Sequence, residues 1–267
     1  MSFLDSLDPR YRLILCDIWG VVHDGVSLYR GAAERLRQWR EQGRCVALIT
    51  NAPRTADAVE QQLAGIGLPH DAYDFVATSG EAGMEALSAL DRPVGFVGTA
   101  GDRQILESRG VRIIDSDEFT DLACTGTIEG RPNPRDYLPD LERWADRDVQ
   151  MHCLNPDRLV IRGGVAEACA GAIADLYQGL GGRVTWYGKP HEAIYHHALH
   201  RAGNPPADEV LAVGDGLQTD VLGAARMGFD VVFVTGGIHA GEPFPQDFAH
   251  QYGLGAWRPV AVVDGLA

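Results

Sequence analysis

The sequence predicts an α/β fold built on a doubly wound, parallel, Rossmann-like sheet. Two observations carry this. Short apolar, β-branched runs alternate with longer segments of helical periodicity along the chain. The runs are apolar on both faces, which means strands covered by helices above and below. A third observation concerns use. Asp17, Thr50 and Asp215 each stand at or just past the carboxyl end of such a run, where open α/β sheets hold their ligands.

The elements follow in order. "RLILCDIW" (12–19) reads as a strand, and "GAAERLRQWREQG" (31–43) as a helix with Ala33, Leu36 and Trp39 on one face. "CVALIT" (45–50) is the next strand, and "TADAVEQQLAGIG" (55–67) a helix that Thr55 can cap. After the middle of the chain come strands "RVTWYG" (183–188), "EVLAVGD" (209–215) and "DVVFVTGG" (230–237), with helices over 191–202 and 219–227. The middle, about 68–182, runs through a strand and helix cycle of its own: "DFVATSG", "PVGFVGTAGDRQILESRG" and "VRIID", then helix "YLPDLERWAD", "VQMHCLNPD" as strand and loop, and helix "EACAGAIADLYQGLG". Composition does not shift at its edges, so periodicity leaves open whether it is an inserted domain.

Bulk properties exclude several functions. The 267 residues carry a net charge of −14, which repels phosphate backbones and anionic lipid and argues against nucleic-acid or membrane partners. No apolar run reaches the roughly 18–20 residues of a membrane span, and "MSFLDSLDPRYR" lacks the pattern of a signal peptide. The five cysteines form no CxxC pair, so buried reduced thiols in a cytoplasmic protein are expected. His196 and His200, at i, i+4, have no evident third metal ligand and read as a solvated helix face. The glycine-rich "VTGGIHAG" (234–241) reads as a turn.

Four pieces carry chemistry: Asp17 in "CDIWGVV", Thr50 and Asn51 in "LITNAPR", Lys189 in "WYGKPHEA", and Asp215 with Asp220 in "AVGDGLQTD". Each alone is weak, since a strand-end aspartate is often only a turn residue. Together and in this order, with "DIWGVVHDG", "TSGEA", "NPD" and "GDGLQTDVLGAARMGFDVVFVTGG", they resemble the haloacid dehalogenase superfamily. The resemblance is to class IIA, the NagD-like and 4-nitrophenyl phosphatase-like branch, whose large α/β cap is inserted in the core.

That resemblance implies a catalytic core of residues 1–55 plus 185–267 and a cap of 56–184. It implies a Mg²⁺-dependent hydrolase of a small phosphomonoester, of the sugar or nucleotide phosphate class. Asp17 would be the nucleophile, forming an aspartyl-phosphate. Mg²⁺ would be held by Asp17, the backbone carbonyl of Trp19, Asp215 and Asp220. Lys189 would neutralise the nucleophile and the phosphoryl oxygens, and Thr50 and Asn51 would hold those oxygens. Arg54, Asn155 and Asp157 would lie near the substrate. The partner would be a small phosphorylated metabolite; oligomeric state is left open.

One position departs from the pattern. The place of Trp19 is usually filled by a second aspartate, which protonates the leaving oxygen and then activates water. An indole N–H is a donor only and cannot trade protons near neutral pH. Three readings stay open: a phosphatase that works without that acid, a binding or regulatory protein with weak turnover, and another reaction of the superfamily such as a dehalogenase. His23 or Asp24 could stand in for the missing acid, or could simply cap the turn.

Overall fold

A computed structural model describes residues 3–162, 165–237 and 244–267. Residues 238–241 of the glycine-rich run lie outside the described residues. In chain order the strands are β1 (Leu13–Asp17), β2 (Cys45–Thr50), β3 (Phe75–Thr78), β4 (Gly95–Val97), β5 (Asp121–Cys124), β6 (Gln150–Cys153), β7 (Leu159–Arg162), β8 (Val165–Ala168), β9 (Arg183–Trp186), β10 (Val210–Gly214), β11 (Asp230–Val234) and β12 (Ala261–Val263). The helices are α1 (Ala32–Glu41), α2 (Ala56–Ile66), α3 (Ser79–Ser88), α4 (Ala100–Ser108), α5 (Leu138–Asp146), α6 (Ala170–Gly179), α7 (Glu192–Arg201), α8 (Leu222–Arg226) and α9 (Phe248–Gln251). None is long and apolar enough to cross a membrane.

The chain divides into two compact units. One comprises the residues up to Thr50, Ala56–Ala77 and Lys189 onward. Its sheet runs β12-β11-β10-β1-β2-β3. Strand β1 is central and parallel to both neighbours, with Cys16 level with Val213 and Asp17 level with Ile49. The chain winds outward from β1 through β2 to β3, returns to β10, and winds out the other way. The switch point therefore lies between β1 and β10, and it delivers Asp17 and Asp215 to one rim. Sequence explains the depth of these strands. Leu13, Ile14, Leu15 and Cys16 are all buried, as are Val210, Leu211, Ala212 and Val213, and each large apolar side chain so buried stabilises by about 1.5–3 kcal/mol. Helix α1 contributes Leu36 and Trp39 from one face, as its spacing predicts.

The other unit comprises Asn51–Thr55 and Thr78–Gly188. It holds a parallel sheet, β4-β5-β6-β9, and an antiparallel pair, β7 and β8. Its core gathers Leu122, Met151, Tyr137, Leu141, Ile173 and Tyr177.

The expected boundaries, 55/56 and 184/185, differ from these at both ends. Residues 56–77 stay with the six-stranded sheet because β3 pairs beside β2. Asp74 clamps that junction, donating its N–H to the Val46 carbonyl (2.8 Å) and accepting the Val46 N–H on its carboxylate (2.7 Å). At the far end, "RVTWYG" forms β9, which pairs with β6 in the second unit, Cys153 level with Trp186. "VRIID" makes only an isolated bridge, Val94 with Ile113. The antiparallel pairing of β7 with β8 was not foreseen.

Candidate active site

Asp17 ends β1 and is 7% exposed. The chain then folds back at once. Val22 and His23 both donate N–H groups to the Ile18 carbonyl, and Gly20 N–H donates to the His23 carbonyl (2.9 Å). Gly20 has φ of 87°, the left-handed region, and a Cβ there would also strike the Asp215 carboxylate. Gly237 approaches the same carboxylate equally closely. Two glycines thus let backbone press against Asp215. Neither was singled out from sequence, and the only signal for Gly20 was its place in the turn after Asp17.

Asp215 follows β10 directly and is 1% exposed. Asp220 lies in a wide helical turn, Leu217–Val221, that leads into α8, where a regular helix over 219–227 was expected. Its Oδ2 accepts from Gly216 N–H (3.1 Å) and the Thr219 hydroxyl (3.2 Å). Lys189 is 3% exposed. Its ammonium donates to Asp17 Oδ1 (2.5 Å), Asp220 Oδ1 (2.6 Å) and the Ile49 carbonyl (3.4 Å). Thr50 ends β2, one residue beyond Ile49, and is half-buried.

Carboxylate oxygens of Asp17, Asp215 and Asp220 all lie within 4.8 Å of one another. If all ionised, these three buried carboxylates would outnumber the one ammonium by two charges. Clustering ionised carboxylates inside a protein is costly. The strain shows in Asp17, whose carboxyl is held well above the usual range by burial and by Asp220, against the pull of Lys189. Burial alone would lower the Lys189 ammonium, but Asp17 and Asp220 outweigh it and push it up. A hard, oxygen-seeking divalent cation fits this donor set.

The remaining expected residues lie in the second unit. Asn51 donates its amide N–H to Asp157 Oδ1 (2.9 Å), and its carbonyl accepts from the Ser79 hydroxyl (2.8 Å). Asn155 Oδ1 accepts the Asp157 N–H (3.1 Å), which makes the "NPD" loop an Asx turn. Arg54 is exposed, and its carbonyl accepts from the Thr78 hydroxyl (2.6 Å). The structure therefore joins Asn51, Asn155 and Asp157 to one another.

Neither candidate for the missing acid is free for that work. His23 is buried, and its Nδ1 accepts the Gly25 N–H (2.8 Å). That fixes the ring hydrogen on Nε2, and burial lowers the imidazole's affinity for a second proton. Asp24 is exposed and accepts from the Val26 and Ser27 N–H groups, which hold its carboxyl below the usual range.

The fold agrees with comparison to known proteins. Residues 14–112 match the haloacid dehalogenase-like hydrolase model, and residues 186–267 match a second model, HAD-hydrolase-like. A haloacid dehalogenase-like hydrolase from Brucella suis 1330 superposes with a TM-score of 0.83 at 35% identity, over 99% of this chain and 98% of its own. The chain belongs to the haloacid dehalogenase-like hydrolases. Within that family it is a class IIA, NagD-like enzyme. Ribonucleotide monophosphatase NagD of Escherichia coli is 29% identical over 84% of this chain and 88% of its own length. A p-nitrophenyl phosphatase from Archaeoglobus fulgidus superposes with a TM-score of 0.77 at 25% identity, with 97% of each chain covered.

Proposed function

We propose that this enzyme is a Mg²⁺-dependent phosphatase that hydrolyses a small phosphomonoester, of the sugar or nucleotide phosphate class, through Asp17. The observation that carries the reading is the buried cluster of Asp17, Asp215 and Asp220 around Lys189. Relatives named ribonucleotide monophosphatase and p-nitrophenyl phosphatase support the same class of substrate.

Bound at Asp17, Asp215, Asp220 and the Trp19 carbonyl, the cation would supply positive charge that offsets repulsion between a carboxylate and a phosphate. Asp17 attacks phosphorus, its new P–O bond forming as the ester P–O bond breaks, and the leaving oxygen departs as an anion that takes its proton from water. Water then attacks the aspartyl-phosphate, releasing phosphate and restoring Asp17. Lys189 holds Asp17 in place through the attack and gives charge to the phosphoryl oxygens. The Thr50 hydroxyl and Asn51 donate to the same oxygens, which asks Asn51 to exchange its bond to Asp157. The second unit, with Arg54, Asn155 and Asp157, is assigned to the leaving-group side as a cap.

With His23 and Asp24 committed to the turn, no carboxyl or imidazole of residues 19–25 is available to protonate the leaving oxygen. General acid help is worth about 10² to 10⁴-fold, so esters whose oxygen leaves as a weak base should be favoured. The test is hydrolysis of 4-nitrophenyl phosphate with Mg²⁺. Turnover that is lost on chelation and in Asp17→Asn is expected; equal turnover in Asp17→Asn would overturn the reading. Mg²⁺-dependent phosphate binding without turnover of any ester would favour a binding protein instead.

A further inference from the structure

Trp19 is 43% exposed, and it stands two residues from Asp17. It is also held. The outer atoms of the indole lie against Gly25, so closely that any Cβ at that position would collide with the ring. The His23 imidazole meets it edge-on, with centroids 5.5 Å apart and planes at 75°. His23 is itself fixed by the Gly25 N–H, by its own N–H to Ile18 and by its carbonyl to Gly20. The turn is finished by Asp24, which caps Val26 and Ser27, and Val26 is 85% exposed beside it. A mobile exposed tryptophan would need none of this. This one is a held aromatic face, presented to solvent two residues beyond the nucleophile.

We infer that Trp19 is a specificity-determining residue: its indole is a stacking shelf for a flat, conjugated leaving group, such as an aryl or enol oxygen carrying the phosphate. The inference rests on the phosphatase reading and names its substrate class more narrowly. The chemistry is consistent at one position. The side chain that removes the proton donor supplies a surface that selects leaving groups needing little protonation. A conjugated oxygen departs as a weak base because its charge spreads into the π-system, and that same π-system stacks on an indole. Stacking of this kind is worth roughly a 5- to 30-fold difference in binding.

The probes are phenylphosphonate and methylphosphonate, which share the anion, cannot be hydrolysed and differ only in the flat group. Their inhibition constants against 4-nitrophenyl phosphate hydrolysis are compared in the wild-type enzyme, Trp19→Leu, Trp19→Phe and Gly25→Ala. Trp19→Leu should weaken phenylphosphonate roughly 10-fold and methylphosphonate less than about 2-fold. Trp19→Phe should keep phenylphosphonate within about 3-fold of wild type. Gly25→Ala, which crowds the indole and strains the turn at its φ of 93°, should follow Trp19→Leu. Thermal unfolding reports folding of each variant, and for any that fails to fold, calorimetric binding of the two phosphonates to the wild-type enzyme replaces it, with tighter binding of the phenyl probe expected. Equal weakening of both probes, no weakening of either, or wild-type indifference between them would overturn the shelf while leaving the phosphatase reading intact. Undiminished turnover in Asp17→Asn would instead overturn the reading on which it rests.

Discussion

Each unit buries a cluster of ionisable groups, and the two clusters are solved differently. In the second unit Asp121 is 2% exposed. Its Oδ1 meets His152 Nε2 (3.0 Å), while Oδ2 accepts from Arg92 Nε (2.5 Å) and the Thr120 hydroxyl (2.8 Å). His152 Nδ1 in turn meets the Tyr187 hydroxyl (2.8 Å). An anionic Asp121 takes the hydrogen from Nε2, so Tyr187 donates to Nδ1 and the imidazole is neutral. One carboxylate faces one guanidinium, and every bond is made within the protein. Around Lys189 three carboxylates share one ammonium. A closed network of the first kind is scaffold; an open one of the second kind asks for a ligand. Burial and hydrogen bonds alone would not separate them. The balance of charge does.

The sharpest way to break the comparison is to disarm the open cluster. Asp17→Asn keeps shape and removes the nucleophile, and 4-nitrophenyl phosphate turnover should fall by about 10⁴-fold or more with little change in thermal stability. A fall of less than tenfold would say that the cluster is only another structural network. Next comes the acid. Trp19→Asp should raise glycerol phosphate hydrolysis by about 10²-fold if position alone matters. An unchanged or lower rate would show that the turn, organised around the indole and His23, no longer presents an acid productively.

The closed cluster should respond in stability instead. Asp121→Ala is expected to cost about 2–4 kcal/mol in urea unfolding, with kcat of the folded enzyme little altered. Its pH signature has a definite sign. Burial opposes ionisation of Asp121, but Arg92, His152 and Thr120 outweigh it and hold the carboxyl at about 2. The folded value is depressed, so the stabilisation is complete above the unfolded value near 4 and is lost as pH falls toward 2. That part of the acid slope should vanish in Asp121→Ala. The smallest effect is expected at Asp24→Ala, a slight loss of thermal stability from the lost cap on Val26 and Ser27, with 4-nitrophenyl phosphate turnover kept within a few-fold.

Much of this was legible in the sequence, and what was not has physical causes. Strands β1, β2, β10 and β11 announced themselves because central parallel strands are apolar on both faces. Their polar last residues marked the rim. Edge placement was harder: β3 and β9 read as strands, but nothing in "DFVATSG" or "RVTWYG" says which sheet each will join, since pairing is decided by the partner. The carboxylates and the lysine of the site were found by order along the chain. Gly20 and Gly237 were not, because close approach to Asp215 is a property of the fold. Asn51 and Asp157 were identified individually; their mutual bond was invisible, 106 residues apart in sequence.

The central claim is that the three clustered carboxylates around Lys189 hold a divalent cation. Calorimetric titration of Mg²⁺ into the wild-type protein and Asp215→Asn tests it most directly. One bound cation per chain in the wild type, with binding weakened at least tenfold in the variant, is the predicted result. Identical binding in both proteins, or none in the wild type even with inorganic phosphate present, would contradict it.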